Sequence, residues 1–246
     1  MLGYLEAVFL KKTRMYNKID CFIAPSRFVY EMHQRSAFAE SQLLFLRNFS
    51  AIDMLQKNAA ENDGYLLFLG RLSPEKGIMT LLRAIKEVPN AELQIAGDGP
   101  QRGAIEAFIQ DNAIGDRVKL LGFQAKDDMM DIISRCMAVV MPSEWYENCP
   151  YSIIEAQMQG KPVIGSNIGG IPELIEDGQT GFVFDAFSEH GLAECIHTLL
   201  NMEEREYAKM CERVIESARK EYDASAYYVK LMEMYQELQS GREVQS

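Results

Sequence analysis

The sequence predicts a doubly wound α/β fold on a parallel sheet, and three observations predict it. Short apolar runs, most of them closed by Gly, Pro or Ser, recur between residues 65 and 184. Stretches of helical period separate them, and the loops after the runs are rich in Gly, Pro and charge. Strands that alternate with helices form βαβ units. Their parallel sheet is covered on both faces, so its strands read as continuous apolar runs.

The elements follow in order. "YLLFLG" (65–70) is a strand and "GIMTLLRAIKEV" (77–88) a helix. "AELQIAG" (91–97) and "QRGAIEAFIQDN" (101–112) repeat the pair, as do "VKLLG" (118–122) and "KDDMMDIISRC" (126–136). "AVVMPS" (138–143) is a strand, followed by a helix from about Pro150 to Gln159. "KPVIGS" (161–166) is a strand, "IPELIED" (171–177) a short helix and "GFVF" (181–184) the last strand. Residues 188–246 then read as helices without strands, with Ser188 placed as an N-cap ahead of Glu189. Residues 1–50 hold a shorter α/β piece: a helix over 2–18, a strand in "IDCFIAPS", a helix in "RFVYEMHQ" and a strand in "SQLLFLRN". The organisation expected is therefore 1–50 as the remnant of one α/β domain, 51–63 as a polar linker, 64–187 as a complete domain and 188–246 as C-terminal helices.

Composition narrows the class. Of the 246 residues 48% are hydrophobic and 25% charged, an ordinary globular balance. A net charge of −11 argues against nucleic acid, whose backbone needs basic patches. Residues 1–50 carry seven Lys/Arg against four Asp/Glu, while the other 196 carry eighteen against thirty-two. A basic end on an acidic body fits either two different surfaces or a chance fluctuation. Five scattered cysteines without a C-x-x-C suit reduced thiols in a cytoplasmic protein. His33, His190 and His197 form no ligand spacing with them. "MLGYLEAVFLKKTR" carries Glu6 inside its apolar part and its cations after it, the reverse of a signal peptide, and reads as an amphipathic helix.

In open parallel sheets ligands bind beyond the carboxyl ends of the strands. The loop "GRLSPEKG" places Arg71 just past a strand and Lys76 near a helix start. Two cations at a helix N-terminus suit a diphosphate; the alternative is a solvated loop in which Lys76 pairs with Glu75 or a nearby acid. No P-loop and no G-x-G-x-x-G follows the first strand of this domain. "SEWYENCPYSIIEA" sets Glu147 and Glu155 on either side of Pro150, which suits the first helical position. The amides of Tyr151 and Ser152 would then be left for an anion, and a carboxylate can accept from a pair of sugar hydroxyls. The alternative makes both glutamates surface residues.

Taken together, these stretches resemble glycosyltransferase family 4, a group of retaining, nucleotide-sugar-dependent enzymes. The likeness covers about 62–200 in motif order and 19–48 more weakly. "FLGRLSPEKGIMTLLRAI", "ELQIAGDGP", "VKLLGF" and "PSEWYENCPYSIIEAQMQGKPVIGSNIGGIPELIEDGQTGFVF" carry it, with the E-x₇-E segment in the last. The resemblance implies two Rossmann-like domains facing a cleft, the GT-B fold, of which 64–187 is the donor-binding one. It implies that Arg71 and Lys76 hold a diphosphate, Glu155 the ribose hydroxyls and Glu147, in the catalytic place, the donor sugar. The amides of Tyr151 and Ser152 would approach phosphates or sugar, the base would lie near Gly97 and Phe123, and Gly70 and Asn148 complete the substrate-binding set. The donor would be a UDP- or GDP-type sugar, with no cofactor and no metal, since no Asp-x-Asp ends a strand. The acceptor would be a glycan or lipid-linked, in surface polysaccharide synthesis, in the cytoplasm or peripherally on the inner face of the membrane through the basic N-terminal segment. The family often has Gly at the place of Pro150, which donates no hydrogen bond. The first two thirds of an acceptor domain has no counterpart here, so this chain is expected to bind donor and to transfer poorly alone. A non-catalytic nucleotide-sugar-binding module and a nucleotide-sugar epimerase stay open beside the transferase reading.

Overall fold

Leu66 and Phe68 lie in one hydrophobic cluster, and Tyr65, Leu67 and Leu69, which alternate with them, lie in another. A strand buried on both faces needs a layer on each side, and that requirement sets the architecture. The computed structural model describes Thr13 and residues 19–35, 42–50 and 59–243. Apart from Thr13, the helix expected over 2–18 lies outside the described residues, as does most of the expected linker.

The chain divides into two compact units, Met1–Asn48 with Ala224–Ser246, and Phe49–Asp223. In the first, β1 (Cys21–Ala24) and β2 (Gln42–Phe45) pair in parallel, with α1 (Arg27–Gln34) between them in sequence. Ser26 caps α1 by accepting from the Val29 amide.

The larger unit runs β3 (Tyr65–Leu69), α2 (Ile78–Glu87), β4 (Glu92–Ala96), α3 (Arg102–Asp111), β5 (Val118–Gly122), α4 (Lys126–Arg135), β6 (Ala138–Met141), α5 (Tyr151–Met158), β7 (Val163–Ser166), β8 (Gly181–Phe184), α6 (Glu189–Leu200) and α7 (Glu204–Glu221). The strands form one parallel sheet of order β5-β4-β3-β6-β7-β8. This is a Rossmann-like doubly wound sheet, and the direction of winding reverses between β3 and β6. Residues of α2, α6 and α7 join the cluster on one face, and residues of α4 and α5 join the cluster on the other.

Local differences from the sequence reading have physical reasons. Pro150 is the N-cap of α5, with φ −67° and ψ 126°, and not its first helical residue. The helix expected over 171–177 is a single 3-10 turn, Pro172–Leu174. Burial of Ile171, Leu174 and Ile175 pins that segment to the sheet, and the Thr180 hydroxyl accepts from the Glu176 amide to turn the chain. The last helix, α8 (Ala224–Glu243), belongs to the first unit. Ser188 does cap α6, accepting from the Gly191 amide. Ala59 and Glu61, within the expected polar linker, are tied down: Lys161 Nζ donates to both carbonyls at 2.8 Å.

Candidate functional site

The reversal between β3 and β6 brings their two exit loops side by side, although they are far apart in sequence. Leu72, fully buried, anchors the loop after β3; its amide donates to Asp98 O and its carbonyl accepts from the Gln101 amide. Gly70 and Gly97 meet here. A Cβ on Gly97, at φ +146°, would lie 1.8 Å from Gly70 O, so only glycine permits this approach. The Gly97 amide also donates to Gly122 O, which places Phe123 on the adjoining loop, where it is 84% exposed.

Arg71 stands between buried Leu69 and Leu72 and is itself exposed. Among the described residues its guanidinium makes no hydrogen bond or ion pair. Glu75 is engaged instead by the Ser73 hydroxyl, which, ahead of the charges of Arg71 and Lys76, holds its carboxyl below the usual value. Lys76 therefore takes a different acid. Its Nζ lies 2.5 Å from Glu147 Oε1, across from the loop after β6. The same oxygen accepts from Ser143 Oγ at 3.2 Å. Glu147 Oε2 receives no hydrogen bond from the described residues.

The two loops are also joined through Glu144. Its amide donates to Glu75 O, and its carboxylate accepts from the Thr80 hydroxyl on α2. A third loop carries the backbone of Glu147: the Gly170 amide donates to Glu147 O at 2.7 Å. Gly169, at φ +61°, has no room for a side chain, since a Cβ would stand 2.5 Å from that carbonyl. Glu147 is thus held at its backbone by one loop and at its carboxylate by two others.

With a proline as N-cap and no capping side chain, α5 opens toward solvent. The Ile153 amide bonds Pro150 O at 3.2 Å. The amides of Tyr151 and Ser152 have no acceptor among the described residues, and they make a positive helix end. Glu155, one turn on, is half-buried, and its carboxylate has no hydrogen bond among the described residues. Burial pushes its carboxyl above the usual value, offset in part by Lys126 at the start of α4. Helix α5 itself is fixed from behind: buried Gln157 donates to Leu174 O and accepts from the Tyr222 hydroxyl, each at 2.6 Å. Trp145, Tyr146 and Tyr151 are 65%, 57% and 53% exposed around this helix start. The rings of Trp145 and Tyr146 lie 6.1 Å apart.

The structure therefore brings Lys76 to Glu147, and Gly70 and Gly97 to the loop of Phe123. Arg71, Asn148 and Glu155 make no polar contact with other candidate residues. Sequence reasoning missed Ser143, Glu144, Thr80 and Lys126. The signal for Ser143 was a lone small polar residue ending an apolar strand; a contact such as Thr80 with Glu144 leaves no local mark. Chemically the arrangement offers two cations and two free amides for an anion, with two carboxylates that can accept from hydroxyls. Among the described residues, no three His, Cys, Asp or Glu are grouped to hold a metal ion, and no helix is long and apolar enough to cross a membrane.

Comparison with known proteins follows the same lines. The family model for glycosyl transferases group 1 matches residues 51–221. Alpha-D-kanosaminyltransferase of Streptomyces kanamyceticus is 30% identical over 191 residues, covering 76% of this chain and 49% of the relative. Lipopolysaccharide 1,2-N-acetylglucosaminetransferase of Salmonella typhimurium is 34% identical, over 52% of this chain and 36% of the relative. The chain spans about half the length of the first curated relatives it matches. Among solved structures, sucrose-phosphate synthase of Thermosynechococcus elongatus superposes with a TM-score of 0.80 at 23% identity, over 91% of this chain and 59% of that one. HepE of Anabaena, solved in complex with UDP, gives 0.77 at 22% identity, over 89% of this chain and 64% of its own. At such identities the likeness concerns the fold.

Proposed function

The chain belongs to the glycosyl transferases group 1 family, and from that premise we propose that it is the donor-binding half of a retaining glycosyltransferase of family 4. It would move a hexose from a nucleoside diphosphate sugar to a glycan or lipid-linked acceptor. The observation that carries this reading is the meeting of Lys76 and Glu147 at the reversal point of the sheet, beside an uncapped helix start. In this reading Arg71, Lys76 and the amides of Tyr151 and Ser152 receive the diphosphate. As the bond to the sugar breaks, negative charge gathers on that diphosphate, and fixed cations and amides aimed there favour the transition state. Glu155 accepts from the ribose hydroxyls and Glu147 from those of the sugar. Gly70 and Gly97 let the backbone approach, Phe123 lies by the base, and Asn148 lines the sugar end. UDP in the HepE complex supports a nucleoside diphosphate as the ligand class. A lipopolysaccharide N-acetylglucosaminetransferase among the relatives supports a surface polysaccharide as the product class.

The test is a ligand split. Glu155→Gln is expected to weaken UDP and UDP-glucose alike by ~1.5–3 kcal/mol, the size of a hydrogen bond to a charged group. Glu147→Gln is expected to spare UDP and weaken UDP-glucose by a similar amount, with GDP and GDP-mannose as the second pair. Calorimetry that finds both ligands weakened equally by Glu147→Gln, or neither by Glu155→Gln, removes the assignment. Chelation by EDTA is expected to leave these affinities unchanged, because cations and amides supply the positive charge; affinity that vanished with EDTA and returned with Mg²⁺ would contradict it.

A further inference from the structure

We propose that Ser143 is a positioning residue for the sugar site: it holds Glu147 in place when a bound diphosphate draws Lys76 away. This rests on the reading of Glu147 as the group that accepts from the donor sugar. Two donors hold Glu147, and both reach the same oxygen, Oε1: Lys76 at 2.5 Å and Ser143 at 3.2 Å. That leaves Oε2 as the oxygen open to a ligand. The two donors differ in freedom. Lys76 is a partly exposed ammonium on a flexible stem, and a diphosphate carries more negative charge than one carboxylate, so the ammonium shifts toward it. Ser143, two residues past β6, is fully buried and cannot follow. Its carbonyl accepts from the Ser166 hydroxyl at 2.7 Å, and Ser166 is fully buried too.

The Ser143 hydroxyl has two acceptors in reach, Glu147 Oε1 and, at 3.5 Å, Met141 Sδ. A carboxylate is much the stronger acceptor, and a hydroxyl rotates to suit. The serine is therefore set to keep Oε1 turned inward and Oε2 outward after the lysine has moved. Without it, binding the diphosphate would leave the carboxylate unheld at the moment it must meet the sugar. The serine should then matter little to the nucleotide and much to the sugar.

Calorimetry on the 246-residue chain tests this with UDP and UDP-glucose, and with GDP and GDP-mannose. Ser143→Ala is expected to keep nucleoside diphosphate affinity within about twofold and to weaken the nucleotide sugar about tenfold, the effect of one hydrogen bond to a charged group. Combined with Glu147→Gln, it is expected to add no further loss. Ser143→Cys keeps the volume with a weaker donor, and the same selective loss is expected of it should alanine disturb the fold in thermal melting. Equal weakening of both ligands would make Ser143 merely structural and overturn the proposal. So would no weakening, or a full tenfold loss added to that of Glu147→Gln. If Ser143→Ala is silent while Glu147→Gln is selective, only the serine's role falls. If Glu147→Gln is itself unselective, the reading of Glu147 falls and takes the serine's role with it.

Discussion

Two cations at each end of the sheet have different kinds of partner. At the amino end, Lys161 is fully buried and gives its protons to Ala59 O and Glu61 O. Arg117, just before β5, directs one nitrogen at Ile85 O, Val88 O and Ala91 O, at 2.7, 3.0 and 3.3 Å. At the carboxyl end, Arg71 has no partner of this kind among the described residues, and Lys76 holds a carboxylate. Backbone carbonyls are fixed and always present, so a cation bound to them is part of the fold. A cation that faces solvent or a single carboxylate can be taken by an incoming anion. The contrast separates structural from functional charge by the kind of partner rather than by residue type.

If the contrast is right, the largest effect comes from the amino end. Lys161→Ala is expected to cost about 3 kcal/mol of folding stability, from the buried stem lost and the two carbonyls left unpaired. Arg117→Ala is expected to cost about 2 kcal/mol by the same carbonyl argument. Urea unfolding measures both; a loss under about 0.5 kcal/mol for Lys161→Ala would end the structural reading. At the carboxyl end the effects should change kind. Arg71→Ala and Lys76→Ala are each expected to weaken UDP by ~1–3 kcal/mol while shifting stability by less than about 1 kcal/mol, as for other partly exposed pairs. Unchanged affinity in both variants would void the diphosphate assignment.

The smallest effect sharpens the comparison through pH. The Glu155 carboxyl titrates above its ordinary value of 4.5 because it is buried. A ligand that needs the ionised form binds better as pH rises through that raised value, and worse as pH falls through it. UDP affinity is therefore expected to decline on acidification somewhat above pH 4.5, and Glu155→Gln is expected to flatten the profile. An identical decline in the variant would assign the titration to another group.

The sequence showed the frame well and the joints poorly. Six runs such as "YLLFLG" and "GFVF" end within two residues of where strands end, because burial on both faces, and glycine at several of the exits, leave local marks. The loops that carry Arg71, Lys76 and Glu147 could be found for the same reason. What could not be read was the pairing of Lys76 with Glu147, 71 residues apart, since electrostatics between loops has no period. Lys161 was read only as the start of a strand, yet it ties down residues 102 and 100 positions earlier. Pro150 was misplaced by one residue, because proline fits both a helix cap and its first turn and only ψ distinguishes them. The segment after Ile171 has helical composition, but its burial against the sheet stops it after one turn.

Trp145 is the chain's only tryptophan. It stands two residues before Glu147, 65% exposed, on the loop that Lys76 and Ser143 hold. Indole emission follows the polarity around the ring, and no second indole dilutes the signal. The intrinsic fluorescence of this protein is therefore an optical probe of the loop, native to the molecule and needing no label. With excitation chosen to pass over the eleven tyrosines, a titration followed at the emission maximum would report on one place in the chain.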